Sequence, residues 1–148
     1  MNLKESLLSD MKGALKARDP LKLITIRGLI SEIKNREIDL GRDLVEDEII
    51  SIISTQVKKR KEAAILFDKG GRKDLFEKEN QEKNILQEYL PEQVSVSDLK
   101  QRIQELISEL GIVDIEDIGK IMKTIIPEFK GRADNAQIKN LVIECLNR

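Results

Sequence analysis

The sequence predicts an all-α protein. A four-helix bundle-like domain is expected over residues 1–93 and a small three-helix domain over residues 94–148. Three observations carry this expectation. Apolar residues recur at three- and four-residue steps through the whole chain, which is the period of a helix with one buried face. Glycine and proline fall between those periodic runs rather than inside strand-like ones. No stretch alternates apolar and polar residues as a half-buried strand requires, and no internal repeat or low-complexity tract is visible.

The first helix carries Leu3, Leu7, Leu8, Met11, Ala14 and Leu15 on one stripe. Asp19-Pro20 then supplies an N-cap and a first-turn proline, so the second helix starts there. Its core face holds Leu23, Ile26, Leu29, Ile30 and Ile33, while Arg27, Lys34 and Arg36 give it a basic flank. Gly41 marks its end. The third helix, from about Val45 to Lys69, opens with Glu46, Asp47 and Glu48, where the helix dipole favours acids. Ile49, Ile53, Val57, Ala64 and Phe67 form its stripe, and Arg60 interrupts it. Gly70-Gly71 stops this helix with one residue in the left-handed region.

The fourth helix covers about Arg72 to Leu90 and is closed by Pro91. Leu75, Ile85, Leu86 and Tyr89 mark its inner side, with Glu79 and Glu82 on the same face. A charged residue inside each of two apolar stripes, on helices joined by a short turn, predicts an ion pair between Arg60 and Glu79 or Glu82. The competing reading is a catalytic carboxylate pair.

Beyond the linker at Pro91, Ser95 with Asp98 resembles a capping box, so the fifth helix starts near Val96. It holds Leu99, Ile103, Leu106, Ile107 and Leu110 and stops at Gly111. Asp114 is placed to cap a sixth helix with Ile118, Ile121, Met122 and Ile125, which Pro127 stops. Asp134 is placed to cap a seventh that runs to about Leu146.

Composition narrows the chemistry. Hydrophobic residues make up 40% of the 148 residues and charged residues 36%, with a formal net charge of -1. A chain of this length buries roughly 70% of its unfolded surface, enough for a sizeable core. The near-zero charge supplies no global attraction to nucleic acid or membrane. With no histidine, the commonest general base and metal ligand is missing. The single cysteine, Cys145, excludes an internal disulfide and sits at helical spacing with Ile138, Leu141 and Val142, as a core thiol would. The charged residues near Met1 do not suit a signal peptide, and no apolar run reaches the roughly 20 residues of a membrane span. A cytoplasmic protein with no cofactor, no metal and no membrane partner is therefore expected.

No phosphate-binding loop, dinucleotide fingerprint, metal-ligand cluster or nucleophile motif is present. Gly70-Gly71-Arg72 lacks the lysine and hydroxyl of a phosphate loop and reads as a helix end. The run Lys58-Lys59-Arg60-Lys61 points around more than half a helix, which suits solvation better than one binding face. Charge is uneven in the second half: residues 95–118 sum to -4 and residues 119–148, counting Arg148, sum to +3. The positive part contains Lys120, Lys123, Lys130 and Arg132. The turn Lys130-Gly131-Arg132-Ala133-Asp134 precedes a helix N-terminus and is placed either to hold a phosphate or to serve as a left-handed turn with a capping aspartate. Three Phe, one Tyr and no Trp leave little for base stacking, so only backbone recognition suits RNA.

Four motifs in order, Gly70-Gly71-Arg72 with Asp74-Leu75, Tyr89-Leu90-Pro91-Glu92-Gln93, Gly119-Lys120 with Met122, and Gly131-Arg132-Ala133-Asp134, resemble the GatB/YqeY family over essentially the whole chain. The resemblance implies an all-helical protein whose small C-terminal domain is akin to the tail of the GatB subunit of tRNA-dependent amidotransferase. That tail helps hold tRNA, while amidation and glutamine hydrolysis occur elsewhere. By this resemblance Gly119, Lys120, Lys130, Gly131 and Arg132 are candidates for a tRNA-facing surface, with Lys123 beside them. Ile118 stands where the family often has methionine, and Asn135 where it often has glycine. The implied function is a non-catalytic tRNA-binding or amidotransferase-associated accessory protein. The alternatives are a protein-interaction adaptor and a carbon-nitrogen ligase using glutamine as amido donor.

Overall fold

The computed structural model describes residues 2–147; Met1 and Arg148, both counted above, lie outside them. Among the described residues there are seven α-helices, one 3₁₀ turn and no strand. One compact unit, Met1–Leu90, holds α1 (Leu3–Lys16), α2 (Pro20–Leu40), α3 (Glu46–Lys69) and α4 (Lys73–Gln87). The other, Pro91–Arg148, holds α5 (Val96–Leu110), the 3₁₀ turn (Ile115–Asp117), α6 (Ile118–Glu128) and α7 (Asn135–Leu146). Glu92 and Gln93, placed in the first domain by sequence, bond to the turn that follows α6.

Local chemistry explains most of the helix ends. Side-chain oxygens of Asn2, Asp19, Ser95 and Asp134 accept amide hydrogens from Glu5, Lys22, Asp98 and Ala136, each satisfying a donor that the first turn leaves free. At α3 the cap is Glu48, whose carboxylate accepts the Val45 amide at 3.0 Å and the two terminal amines of Arg42 at 2.8 and 3.0 Å. Gly111 closes α5 at φ +65°, a conformation that a side chain would strain. Gly71, at φ +72°, turns the chain so that α4 folds back along α3.

The first unit packs Leu7 of α1, Ile26, Leu29 and Ile33 of α2, Ile49, Ile53 and Val57 of α3, and Leu86 of α4 into one core. The second packs Leu99, Ile103 and Leu106 of α5 against Ile121 and Ile125 of α6, Phe129, and Ile138 and Val142 of α7.

Several expected details differ. Leu15 is 57% exposed and Leu8 and Leu110 are also on the surface, because each lies at the edge of its stripe. Pro127 does not stop α6. It sits in the last turn, and the Phe129 amide still bonds the Ile125 carbonyl at 3.1 Å, so the ladder continues past it. Asp114 caps the 3₁₀ turn that leads into α6 rather than α6 itself. The fourth helix ends at Gln87 because the Tyr89 and Leu90 amides turn back to Leu86 and Gln87, three residues away.

Two tertiary ties hold the first unit. The Tyr89 hydroxyl donates to Asp10 on α1 at 2.5 Å, and burial, followed by that carboxylate, pushes the phenol's pKa well above its ordinary value. Glu37 accepts from Lys4 Nζ at 2.6 Å and from the Leu44 amide at 2.8 Å, so one carboxylate links α1, α2 and the loop before α3. The Lys4 hydrogen bond, then the Leu44 amide, hold Glu37 below its ordinary value of 4.5. A depressed carboxylate stabilises the fold above its unfolded value and loses that contribution as pH falls through the folded value. Glu37→Gln is expected to be less stable than the parent at pH 7, with a gap that begins to close near pH 4.5 as the pH is lowered. Denaturant unfolding of both proteins from pH 7 to pH 3 checks this; a gap that widens in acid contradicts it.

Candidate nucleic-acid interface

The second unit is built around a clamped turn. After α6 the chain passes through Phe129, which is 6% exposed, and Gly131 at φ +76° reverses it. The Arg132 and Ala133 amides both return to the Phe129 carbonyl, at 2.8 and 3.2 Å. The segment before α5 then binds this turn from outside. Gln93 Nε2 donates to the Gly131 carbonyl at 2.7 Å, the Val94 amide to the Arg132 carbonyl at 3.1 Å, and Arg132 Nε to the Glu92 carbonyl at 3.1 Å.

Arg132 is held twice. Its Nε is anchored, and its guanidinium carbon lies 5.4 Å from the centroid of the Phe129 ring, within cation–π range. Among the described residues no acceptor engages its two terminal amines. The half-exposed fork is thus fixed in direction before any ligand arrives, which lowers the entropy lost on binding.

The remaining basic candidates lie on α6 and in the turn that follows it. Lys120 and Lys123 lie on the exposed side of α6 together with Gly119, above whose Cα there is open space. Lys130 is exposed and, like Lys123, has no carboxylate within ion-pair distance among the described residues. Lys120 is 3.7 Å from the Asp117 carboxylate, a loose surface contact worth little. At 1.5 Å per residue, Lys120 and the last residue of α6, Glu128, are about 12 Å apart along the axis, and Lys130 lies in the turn beyond. The two lysines do not converge on one phosphate, and their spacing suits an extended polyanion. The start of α7 does not offer an anion site in this arrangement, because the Asp134 carboxylate already accepts the Ala136 amide there.

Four other acids of this unit pair with basic residues of α5. Arg102 draws together Glu128 at 2.8 Å, Glu105 at 3.3 Å and Glu109 at 3.6 Å, and Lys100 pairs with Glu144 at 3.2 Å. The hydrogen bond to Glu128 is the main cause that raises the guanidinium's pKa further.

In the first unit, Arg60 Nη1 lies 3.3 Å from a Glu79 oxygen and 3.0 Å from a Glu82 oxygen. Glu82 is 6% exposed. Its near oxygen lies outside hydrogen-bond geometry toward Arg60, and the buried Arg60 Nε faces no acceptor. The guanidinium occupies the space between the carboxylates that a substrate of a carboxylate pair would need. Among the described residues no group of three or more Cys, Asp or Glu is placed to hold a metal. Likewise no helix among them is long and apolar enough to cross a membrane. Cys145 is half-buried at the edge of the second core.

Sequence reasoning missed the anchoring of Arg132 by Glu92, the Gln93 clamp and the Glu37 hub. Their partners are 40, 38 and 33 residues apart, beyond any local pattern.

A family model for Yqey-like protein matches residues 4–146. Similar proteins include "Altered inheritance of mitochondria protein 41, mitochondrial" from Lachancea thermotolerans, 38% identical over 108 residues, covering 71% of this chain and 58% of that protein. The Vanderwaltozyma polyspora protein of the same name is 33% identical over 147 residues, covering 93% of this chain and 78% of its own. That of Saccharomyces cerevisiae strain YJM789 is 34% identical over 150 residues, covering 93% and 80%. The match therefore spans under two thirds of the Lachancea protein and about four fifths of the other two. These names correct the expected cytoplasmic location: they point to mitochondria instead. A single cysteine excludes an internal disulfide but does not separate the cytosol from other reducing interiors.

Proposed function

The chain belongs to the Yqey-like protein family, and from that membership we propose that it is a non-catalytic accessory protein that holds the backbone of tRNA, alone or in an amidotransferase complex. In this reading the first unit is a four-helix bundle-like body and the second a three-helix, tail-like RNA-facing domain. The observation that supports it is the Arg132 fork, stacked on Phe129 and tied to Glu92, in a unit that also exposes Lys120, Lys123 and Lys130. Lys and Arg side chains spaced along a helix meet successive phosphates, and the scarcity of aromatic residues leaves base reading aside. The relatives' printed names speak of mitochondrial inheritance and name no ligand.

Lys123 and Lys130 make no bond that holds the fold together, so their removal isolates binding from stability. Lys123→Ala/Lys130→Ala is expected to weaken tRNA affinity about tenfold at low salt, as the loss of two backbone contacts does, with an unchanged melting temperature. Filter binding of an unfractionated tRNA pool checks this. Equal affinity for parent and variant counts against the reading, and ammonia release from glutamine by the purified chain replaces it with the ligase alternative.

A further inference from the structure

The exposed side of α2 is organised as a helix-pairing seam that no other described part of the first unit covers. Ile24, Gly28, Ser31, Asn35 and Ile38 follow one another at steps of four and three residues, the seam spacing of paired helices. All five are on the surface, and the two isoleucines are among its most exposed apolar residues, at 65% and 76%. They stand about 21 Å apart along the axis, four turns of helix. Between them Gly28 leaves a notch: a Cβ built there meets nothing within 4 Å.

The two edges of this seam differ. Arg27 and Lys34, seven residues apart, lie along one edge, both exposed and neither within ion-pair distance of an acid among the described residues. No Asp or Glu lies between them on the exposed face. On the other edge the Glu32 carboxylate is taken by Gln56 of α3, while Asp39, one heptad further on, is exposed. Between Arg27 and Lys34 the exposed stripe carries no acid, and the next acids of α2, Glu37 and Asp39, flank Ile38 at its C-terminal end.

We propose that this face of α2 docks an acidic amphipathic helix of a partner protein, with bulky apolar residues over the Gly28–Ser31 notch and carboxylates facing Arg27 and Lys34. The charge pattern selects this occupant. Antiparallel pairing with a second copy sets Arg27 against Lys34, a like-charge contact, and parallel pairing sets notch against notch and leaves it unfilled. A phosphate backbone satisfies the two cations but gains nothing from the isoleucines, whose exposure is relieved only by apolar contact.

The test uses the full chain, isotope-labelled, and a synthetic helical peptide of about three heptads with leucine along its seam and glutamate on both flanks, beside a twin with lysine for glutamate. The glutamate peptide is expected to shift amides of residues 24–38 and to bind at least tenfold more tightly than the lysine twin, a ratio that reversal of the pairing charges accounts for. Arg27→Glu/Lys34→Glu should reverse that preference, and Ile38→Glu should abolish binding while the circular dichroism spectrum stays that of the parent. If Ile38→Glu loses helical signal, Ile24→Gln at the other end of the seam carries the same test. Absence of binding, shifts elsewhere, a preference unmoved by charge reversal, self-association through this face, or tRNA shifting the same amides each overturns the proposal. The seam lies in the first unit and the candidate RNA residues in the second, so the two readings fail separately.

Discussion

Ile125→Ala is expected to destabilise the second unit by about 3 kcal/mol, within the range for deleting a buried isoleucine side chain. Ile125 is 0% exposed, and Ile121, Phe129, Ile138 and Val142 belong to the same core. The unit comprises only Pro91–Arg148, and a domain of that size commands about 3–5 kcal/mol in total. One truncation therefore removes most of its stability. Because the two cores share no residue, hydrogen exchange should show residues 96–146 losing protection while residues 20–87 keep theirs. Lys123→Ala, on the exposed side of the same helix, is the control and should change stability by less than about 0.5 kcal/mol. Simultaneous loss of protection in both units contradicts two independent cores.

The second large effect is expected at Arg60. Truncating one member of a buried ion pair leaves the other charged and unpaired, at a cost of about 3–5 kcal/mol. Arg60 is 36% exposed in its side chain, so water offsets part of that, and Arg60→Ala should cost about 2–3 kcal/mol. Glu82→Ala should cost more than Glu79→Ala, since the Glu82 side chain is 8% exposed and that of Glu79 is 15%. Replacing Arg60, Glu79 and Glu82 together with apolar residues of similar volume, as Arg60→Met/Glu79→Leu/Glu82→Leu, should restore most of the loss, because no member of the cluster is left charged and unpaired. Urea unfolding of the four variants measures these differences. An Arg60→Ala value within 0.5 kcal/mol of the parent, the scatter of an ordinary surface site, removes the argument that this pair is a structural tie.

The Arg60 cluster illustrates what local periodicity reveals. An arginine at an apolar position of one helix and two glutamates at apolar positions of the next are visible as exceptions to a pattern. Helix identity was legible for the same reason, since the seven apolar stripes are periodic within themselves. Helix ends were less so. Pro127 reads as a stop because its ring removes a donor, yet in the last turn of α6 only one ladder bond is lost and Ile125 still receives the Phe129 amide. Glu37 reads as one more surface acid, and nothing in residues 33–41 announces that Lys4 and Leu44 converge on it.

The candidate interface was legible in residue type and not in posture. Lys120, Lys123, Lys130 and Arg132 stand out by charge alone. That Arg132 spends its Nε on Glu92 and one ring face on Phe129, while keeping its terminal amines clear, depends on the segment 92–94 docking on the turn. The same bonds change how the residue is best probed. Arg132→Ala removes a fold contact as well as a charge, whereas Lys123 and Lys130 carry charge only. Asp134 accepts the Ala136 amide at the start of α7, which leaves the phosphate-holding role to side chains.

Backbone recognition through Lys123, Lys130 and Arg132 makes a definite statement about salt. The direct measurement is the dissociation constant of the full chain for tRNA at 50, 100 and 200 mM monovalent salt. Three phosphate contacts predict a straight log–log plot and an affinity about 20–40-fold weaker at 200 mM than at 50 mM. In Lys123→Ala/Lys130→Ala the slope should fall by about two. An affinity that is flat across this range, or no binding at 50 mM, contradicts the assignment of this surface to RNA.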